Sequence, residues 1–199
     1  MIYNYKMERG VSDKNILEDF TIKFCKIIEK HVKYIVVSGF VAISHGRSRS
    51  TEDIDMIIER ISKDKFLQMH KDIINGGFQC IQSRLAEDIF EYLDKGDSIR
   101  YVKKGTFLPP EMEIKFAKDM LDELQIKNRR KFPFTGLDIW FSDIETNIAF
   151  KEELLKGDKD YKDADHLRFI YKDQINENLI NEIKKMIKNL RLKEKNDKR

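Results

Sequence analysis

Two aspartates separated by a single isoleucine, Asp53-Ile54-Asp55, open an apolar run that continues through Met56, Ile57 and Ile58. Alternate residues of an extended strand point to the same face. Asp53 and Asp55 therefore stand side by side, while Ile54 and Met56 point into a core. Neighbouring carboxylates repel unless a cation lies between them, and for an all-oxygen donor set that cation is most often magnesium. An earlier apolar run, Tyr34 to Val37, ends in Ser38-Gly39. The whole stretch reads as a buried strand, a small-residue turn, a short helix through Ser44, a polar loop past Gly46, and a second strand from about Asp53 to Ile58. The N-terminus of the short helix would offer free backbone N–H groups to phosphate oxygens.

In this order and spacing the stretch resembles the nucleotidyltransferase superfamily, whose fold is shared with DNA polymerase beta. Its signature is a Gly-Gly or Gly-Ser turn, a spacer, and then Asp-hydrophobic-Asp-hydrophobic, here Ser38-Gly39 and Asp53-Ile54-Asp55-Met56. Arg49 and Thr51 occupy the arginine and threonine places of a variant of that signature. Ser38 departs from it, standing where the first glycine is usual. The resemblance implies an α+β fold: a polymerase beta-like mixed sheet flanked by helices, with a C-terminal helical segment. Residues 1–141 would form the core with its N-terminal helix, and 142–199 helices packed on it as one compact unit.

The implied activity is magnesium-dependent transfer of a nucleoside monophosphate from a nucleoside triphosphate such as ATP to an acceptor hydroxyl. Two-metal chemistry of this kind needs carboxylates between ions ~4 Å apart. Asp53 and Asp55 supply two acids, and the family takes a third from a later strand. Glu113 is the best-placed candidate; Glu111 shares its face, and Asp138 is the other contender. By the same resemblance Ser38 and Gly39 contact the triphosphate, and Arg49 pairs with a phosphate through its planar fork. Thr51 is better read as shaping its loop by side-chain hydrogen bonding. A second constellation resembles the closing motif of abortive-infection and related small standalone members: Lys151 on one helix, then Lys159, Asp160 and Asp163 opening the next. Asp160 and Asp163 share a helical face. Their plain alternative is helix capping, with Lys151 in a surface pair. In such relatives the acceptor is an RNA end (tRNA included) or a partner protein, often within a toxin–antitoxin pair. The competing reading is a module with vestigial catalysis that binds and neutralises a small helical protein. Nucleotidylation of an aminoglycoside is a third reading, which calls for an acidic drug pocket.

With 199 residues and 41% hydrophobic content the chain has material for one core. The net charge of +3 permits contact with RNA without demanding it. The basic loop Asn128–Lys131 and the lysine-rich stretch from Lys184 onward are candidate tracks for an RNA backbone, although no aromatics interleave with them. Cys25 falls on a helical apolar stripe and Cys80 in a strand-like run, so both read as buried hydrophobes rather than zinc ligands. No apolar run reaches the ~20 residues of a membrane span, and no signal-peptide pattern opens the chain, so cytoplasmic residence is expected.

Periodicity places helices over 14–31, with Ser12 or Asp13 as cap, and from Ser62, as cap, to Ile74. Further helices are predicted over 84–93, 118–125, 143–155 capped by Ser142, about 159–172, and 175–193. Strands are predicted at Phe78–Ile81, Ser98–Val102, Glu111–Phe116 (half-buried) and Leu137–Phe141, with a loop from Gly105 through Pro110.

Overall fold

The computed structural model describes residues 13–192. Its centre is a five-stranded mixed sheet. β1 (Tyr34–Val37), β2 (Asp53–Ile58), β3 (Phe78–Cys80), β4 (Ile99–Lys103) and β5 (Glu111–Phe116) lie in the order β1-β2-β5-β4-β3. β2 and β5 run parallel at the middle, and every other neighbouring pair is antiparallel. Parallel neighbours require a long crossover, and here the β3–β4 hairpin and two helices fill it.

The pleat divides the strands cleanly. Ile54, Met56 and Ile58 of β2 join Met112, Ile114 and Phe116 of β5 in the main core. That face is covered by α1 (Asp13–Ile28), α3 (Lys63–Asn75) and α4 (Ala86–Asp94) through Phe24, Phe66 and Leu93, among others. As expected, Ser62 caps α3, its side chain accepting from the Lys65 N–H. Cys25 and Cys80 are both buried. The expected cap Ser12 lies outside the described residues.

On the opposite face α5 (Met120–Lys127) covers only one end of the sheet, packing Ile126 with Ile35 and Ala117. Helices α6 (Ile144–Phe150), α7 (Asp158–Ile170) and α8 (Glu177–Ile187) form a second hydrophobic cluster around Ile148, Leu167 and Ile183. Leu121 of α5 belongs to this second cluster, and Phe132 packs against both. None of the described helices is long and apolar enough to cross a membrane.

Two expectations are corrected. Residues 137–141 do not form a strand: Leu137, Ile139 and Phe141 are buried, but only Phe141 makes ladder bridges, to Val36 and Arg130. A 3₁₀ turn at Pro133–Thr135, closed by left-handed Gly136 (φ 74°), delivers the segment, and α6 takes it away at once. The cap of α6 is Asp143, whose side chain accepts from the Thr146 N–H. Ser142 instead donates its hydroxyl to Gln125 Oε1. β5 keeps the predicted alternation, with Met112, Ile114 and Phe116 buried and Lys115 exposed; Glu113, on the face of Lys115, is buried as well.

Candidate functional site

The open end of the sheet, beyond the reach of α5, carries four carboxylates on one face. The parallel register sets Asp53 beside Glu111 and Asp55 beside Glu113. Asp55 is partly buried, and burial pushes its carboxyl up; Glu113 and Asp53 add to the rise, while Lys115 and the Ser38 side chain oppose it. Glu111 is likewise raised, first by burial and then by a hydrogen bond shared with Asp53. Asp53 and Glu111 are thus like charges set side by side across the two strands.

Glu113 is in a different state. Arg100 donates to its Oε2 through Nε at 3.0 Å and Nη2 at 2.8 Å, and Lys115 pairs with its Oε1. Although burial pushes the other way, these cations hold its carboxyl below the usual range. The carboxyls that could receive a hard divalent ion without displacing a cation are therefore Asp53, Asp55 and Glu111. Their all-oxygen chemistry and the unneutralised Asp53–Glu111 pair fit such an ion. Among the described residues, no three metal-ligating groups converge as a ready-made cage. Asp138 is excluded as the third acid: it is exposed, on the far side of β1, and paired with Lys131 at 2.7 Å.

Beside these acids, the turn between β1 and α2 (Gly39–Ser44) is strained. Ser38 adopts φ 65° and ψ −137°, a conformation natural to glycine. The next residue has no room for a side chain: a Cβ on Gly39 would stand 2.8 Å from Nη2 of Arg49. Arg49 thus lies flat on the turn, which explains why glycine is needed there.

What holds Arg49 is Asp163 of α7. This carboxylate is fully buried and faces three cations: Arg49 Nη1 at 2.6 Å and Lys151 Nζ at 2.8 Å on Oδ2, and Arg47 Nη1 at 2.9 Å from Oδ1. The Arg47 contact is close enough for an ion pair but misaligned for a hydrogen bond, so Oδ1 is left without a hydrogen-bond partner. Lys151, 1% exposed, stands at the start of a π-helical turn (Lys151–Leu155) that follows α6. π-turns often occur at functional positions. Asp160 lies 3.7 Å from Lys151, and its other oxygen accepts from the Gly157 N–H. Three cations against two carboxylates leave an excess positive charge next to the Ser38–Gly39 turn.

The loop joining α2 to β2 is fixed from the same side. His45 is buried among Phe132, Phe134 and Tyr171; its Nδ1 donates to Val41 O at 2.6 Å, and its Nε2 accepts from the Tyr171 hydroxyl at 2.9 Å. Burial drives its pKa down to about 4, a satisfied core histidine. His166 Nε2 donates to His45 O, and Thr51 Oγ1 donates to Asp53 O. Thr51 thus shapes the loop as predicted.

A cavity of about 260 Å³ is lined by Ser38, Asp55, Glu113 and Lys151 and by Phe116, Phe150 and Leu154, while Arg47 and Arg49 line another, of about 700 Å³, with Thr51 and Glu52. A groove with a net positive lining shares Arg60 and Lys118 with the smaller cavity and adds Lys33, Lys127 and Arg129 beside Glu59 and Glu123. The structure thus brings together Ser38, Gly39, Arg49, Asp53, Asp55, Glu113, Lys151 and Asp163. Lys159 is exposed on α7 and stands outside the group. Arg47, Arg100 and Lys115 were missed; for Lys115 the alternation Glu111, Glu113, Lys115 was the available signal. The described part of the basic C-terminal stretch spends charge internally, through Lys184 on Glu152, Lys188 on Glu153, and Arg191 on Asp119 and Asp122.

No protein-family model and no curated protein matches the chain. Among solved structures it is similar to JHP933 from Helicobacter pylori, with a TM-score of 0.52 and 13% identity over 85% of this chain and 72% of that one. A likeness at that identity is one of fold alone.

Proposed function

We propose that the protein is a nucleotidyltransferase that moves a nucleoside monophosphate from a nucleoside triphosphate to an acceptor hydroxyl, releasing pyrophosphate. The observation that carries this reading is the surplus of cations on the buried Asp163, with Arg49 against the Ser38–Gly39 turn and Lys151 sharing one cavity with Ser38 and Asp55. A polyphosphate is the natural counter-charge for such a cluster, and Arg49 presents the planar fork that suits it. Asp163 orients Arg49 and Lys151 so that neither must reorganise when phosphate arrives.

Asp53, Asp55 and Glu111 would hold a divalent cation, magnesium by donor type. Bound there, it would neutralise phosphate charge and make the acceptor hydroxyl easier to deprotonate. Ser38 holds Asp55 in place through its side chain. Lys115 and Arg100 fix Glu113, and Lys115 lines the same cavity.

For the acceptor, the groove of Lys33, Arg60, Lys118, Lys127 and Arg129 favours an RNA end over a protein hydroxyl, since a row of cations tracks a phosphate backbone. One observation favours the second reading, a vestigial enzyme that binds a protein partner: both oxygens of Glu113 are already occupied by cations. Incubation with α-labelled nucleoside triphosphates, magnesium and total RNA separates the two. Label transfer with pyrophosphate release, lost in Asp53→Ala and Asp55→Ala, is the expected result. A folded wild type that neither binds nucleotide nor transfers label would refute catalysis.

A further inference from the structure

The cavity beside Asp55 has a polar feature that phosphate binding leaves unused. Asn147, on α6, is buried, and its Nδ2 donates to Ser142 O at 3.1 Å and to Asp143 O at 2.8 Å. Both partners are carbonyl oxygens, so the amide can face them only with its nitrogen. Its Oδ1 is therefore turned away, and it makes no hydrogen bond with the described residues. It is also not among the buried polar atoms sealed from solvent without a partner. Since Asn147 is 5% exposed and lines the cavity, that small exposure is where Oδ1 opens into it.

The neighbouring groups keep the amide from turning. Ser142 donates to Gln125 Oε1 at 2.9 Å, Gln125 Nε2 donates to Asp122 Oδ1 at 3.3 Å, and Arg191 Nη2 clamps that same oxygen at 2.6 Å. The apolar part of the cavity lining is Ile57, Phe116, Phe150 and Leu154; Asp122, Gln125 and Arg191, which also line it, are tied to one another. Arg191 covers one face of Phe150, with its guanidinium carbon 5.0 Å from the ring centroid. A largely apolar cavity with an acceptor fixed in its wall suits a planar ring that carries an amino group.

Resting on the nucleotidyltransferase reading, we propose that this slot takes the base of the nucleotide. In it Asn147 Oδ1 accepts a hydrogen bond from an exocyclic amino group, making Asn147 the residue that sets base preference. Adenine, cytosine and guanine carry such a group. Uracil, hypoxanthine and unsubstituted purine do not, and uracil would set a carbonyl against Oδ1. A site built to bond a polar group discriminates strongly against the analogue that lacks it, because the buried acceptor is left unpaired.

The test is calorimetric titration of the wild-type protein, with magnesium, against three pairs of triphosphates. ATP is compared with purine riboside triphosphate, CTP with UTP, and GTP with inosine triphosphate. The best-bound amino nucleotide should bind about tenfold more tightly than its amino-less counterpart. In Asn147→Leu that ratio should fall to about one to two. Because Asn147 also braces the start of α6, a leucine variant may not be recovered folded; the analogue pairs in wild type then decide alone. Equal affinity within every pair would overturn the base slot while leaving the nucleotidyltransferase reading in place. A preference that survives in folded Asn147→Leu would also overturn the assignment to Asn147. No binding of any triphosphate would remove both.

Discussion

Ser38 offers a direct test of how this turn is built. At an ordinary exposed site, glycine is less stable than alanine by about 0.5–1 kcal/mol, because the unfolded chain has more freedom to lose. Ser38 sits at φ 65° and ψ −137°, where a residue with a Cβ carries strain of about 1–3 kcal/mol. Replacing it by alanine keeps the strain and loses the hydroxyl that assists Asp55; replacing it by glycine loses the same hydroxyl and relieves the strain. The hydroxyl cancels from the comparison. Subtracting the intrinsic handicap of glycine leaves Ser38→Gly more stable than Ser38→Ala by about 1 kcal/mol, inverting the usual order. In a chain of this length that corresponds to a melting difference of about 2–4 °C. Urea unfolding of the two variants measures it. An alanine variant as stable as the glycine variant, or more so, would show that the turn imposes no left-handed geometry.

Asp163→Ala should destabilise the protein by about 3–5 kcal/mol, since it strands Lys151 in a site only 1% exposed. Asp165→Ala, on the exposed side of the same helix, should move the midpoint by under about 0.5 kcal/mol; similar losses from both would contradict the buried cluster. Glu152 accepts two hydrogen bonds from Arg168 and pairs with Lys184. Burial raises its carboxyl, but these partners hold it below its ordinary value of 4.5. Its contribution to stability is therefore complete above that value and is lost as pH falls through the lower folded value. Glu152→Gln should be less stable than wild type at neutral pH, with the gap closing on acidification, as followed by thermal melts from pH 7 to 3. A constant gap would mean that the charge of Glu152 contributes nothing.

Much of the site was legible because it depends on strictly local rules. The period of two in β2 placed Asp53 and Asp55 together and buried Ile54, Met56 and Ile58 opposite them. The partner of β2 was another matter. Nothing in Glu111–Phe116 alone says that it lies parallel to β2, since the crossover between them carries a hairpin and two helices. The residues at 137–141 show the limit of periodicity: Leu137, Ile139 and Phe141 alternate and are all buried, yet burial came without pairing. Ser142 and Asp143 are equally good capping residues, and the choice fell to Asp143 because Gln125 claims the serine hydroxyl. Arg47 and Arg100 became visible only in three dimensions, because an arginine in a loop or strand carries no mark of the carboxylate it will meet.

The clamp on Arg49 joins residues 114 positions apart in the chain. During synthesis from the N-terminus, the paired aspartates, the strained turn and both loop arginines all emerge long before α7 supplies their carboxylate. A chain interrupted anywhere short of Asp163 therefore has most of the chemistry-bearing residues but no means of aiming Arg47 and Arg49. Such long-range closure comes late in folding, so on the proposed nucleotidyltransferase reading the onset of nucleotide affinity would mark completion of the fold.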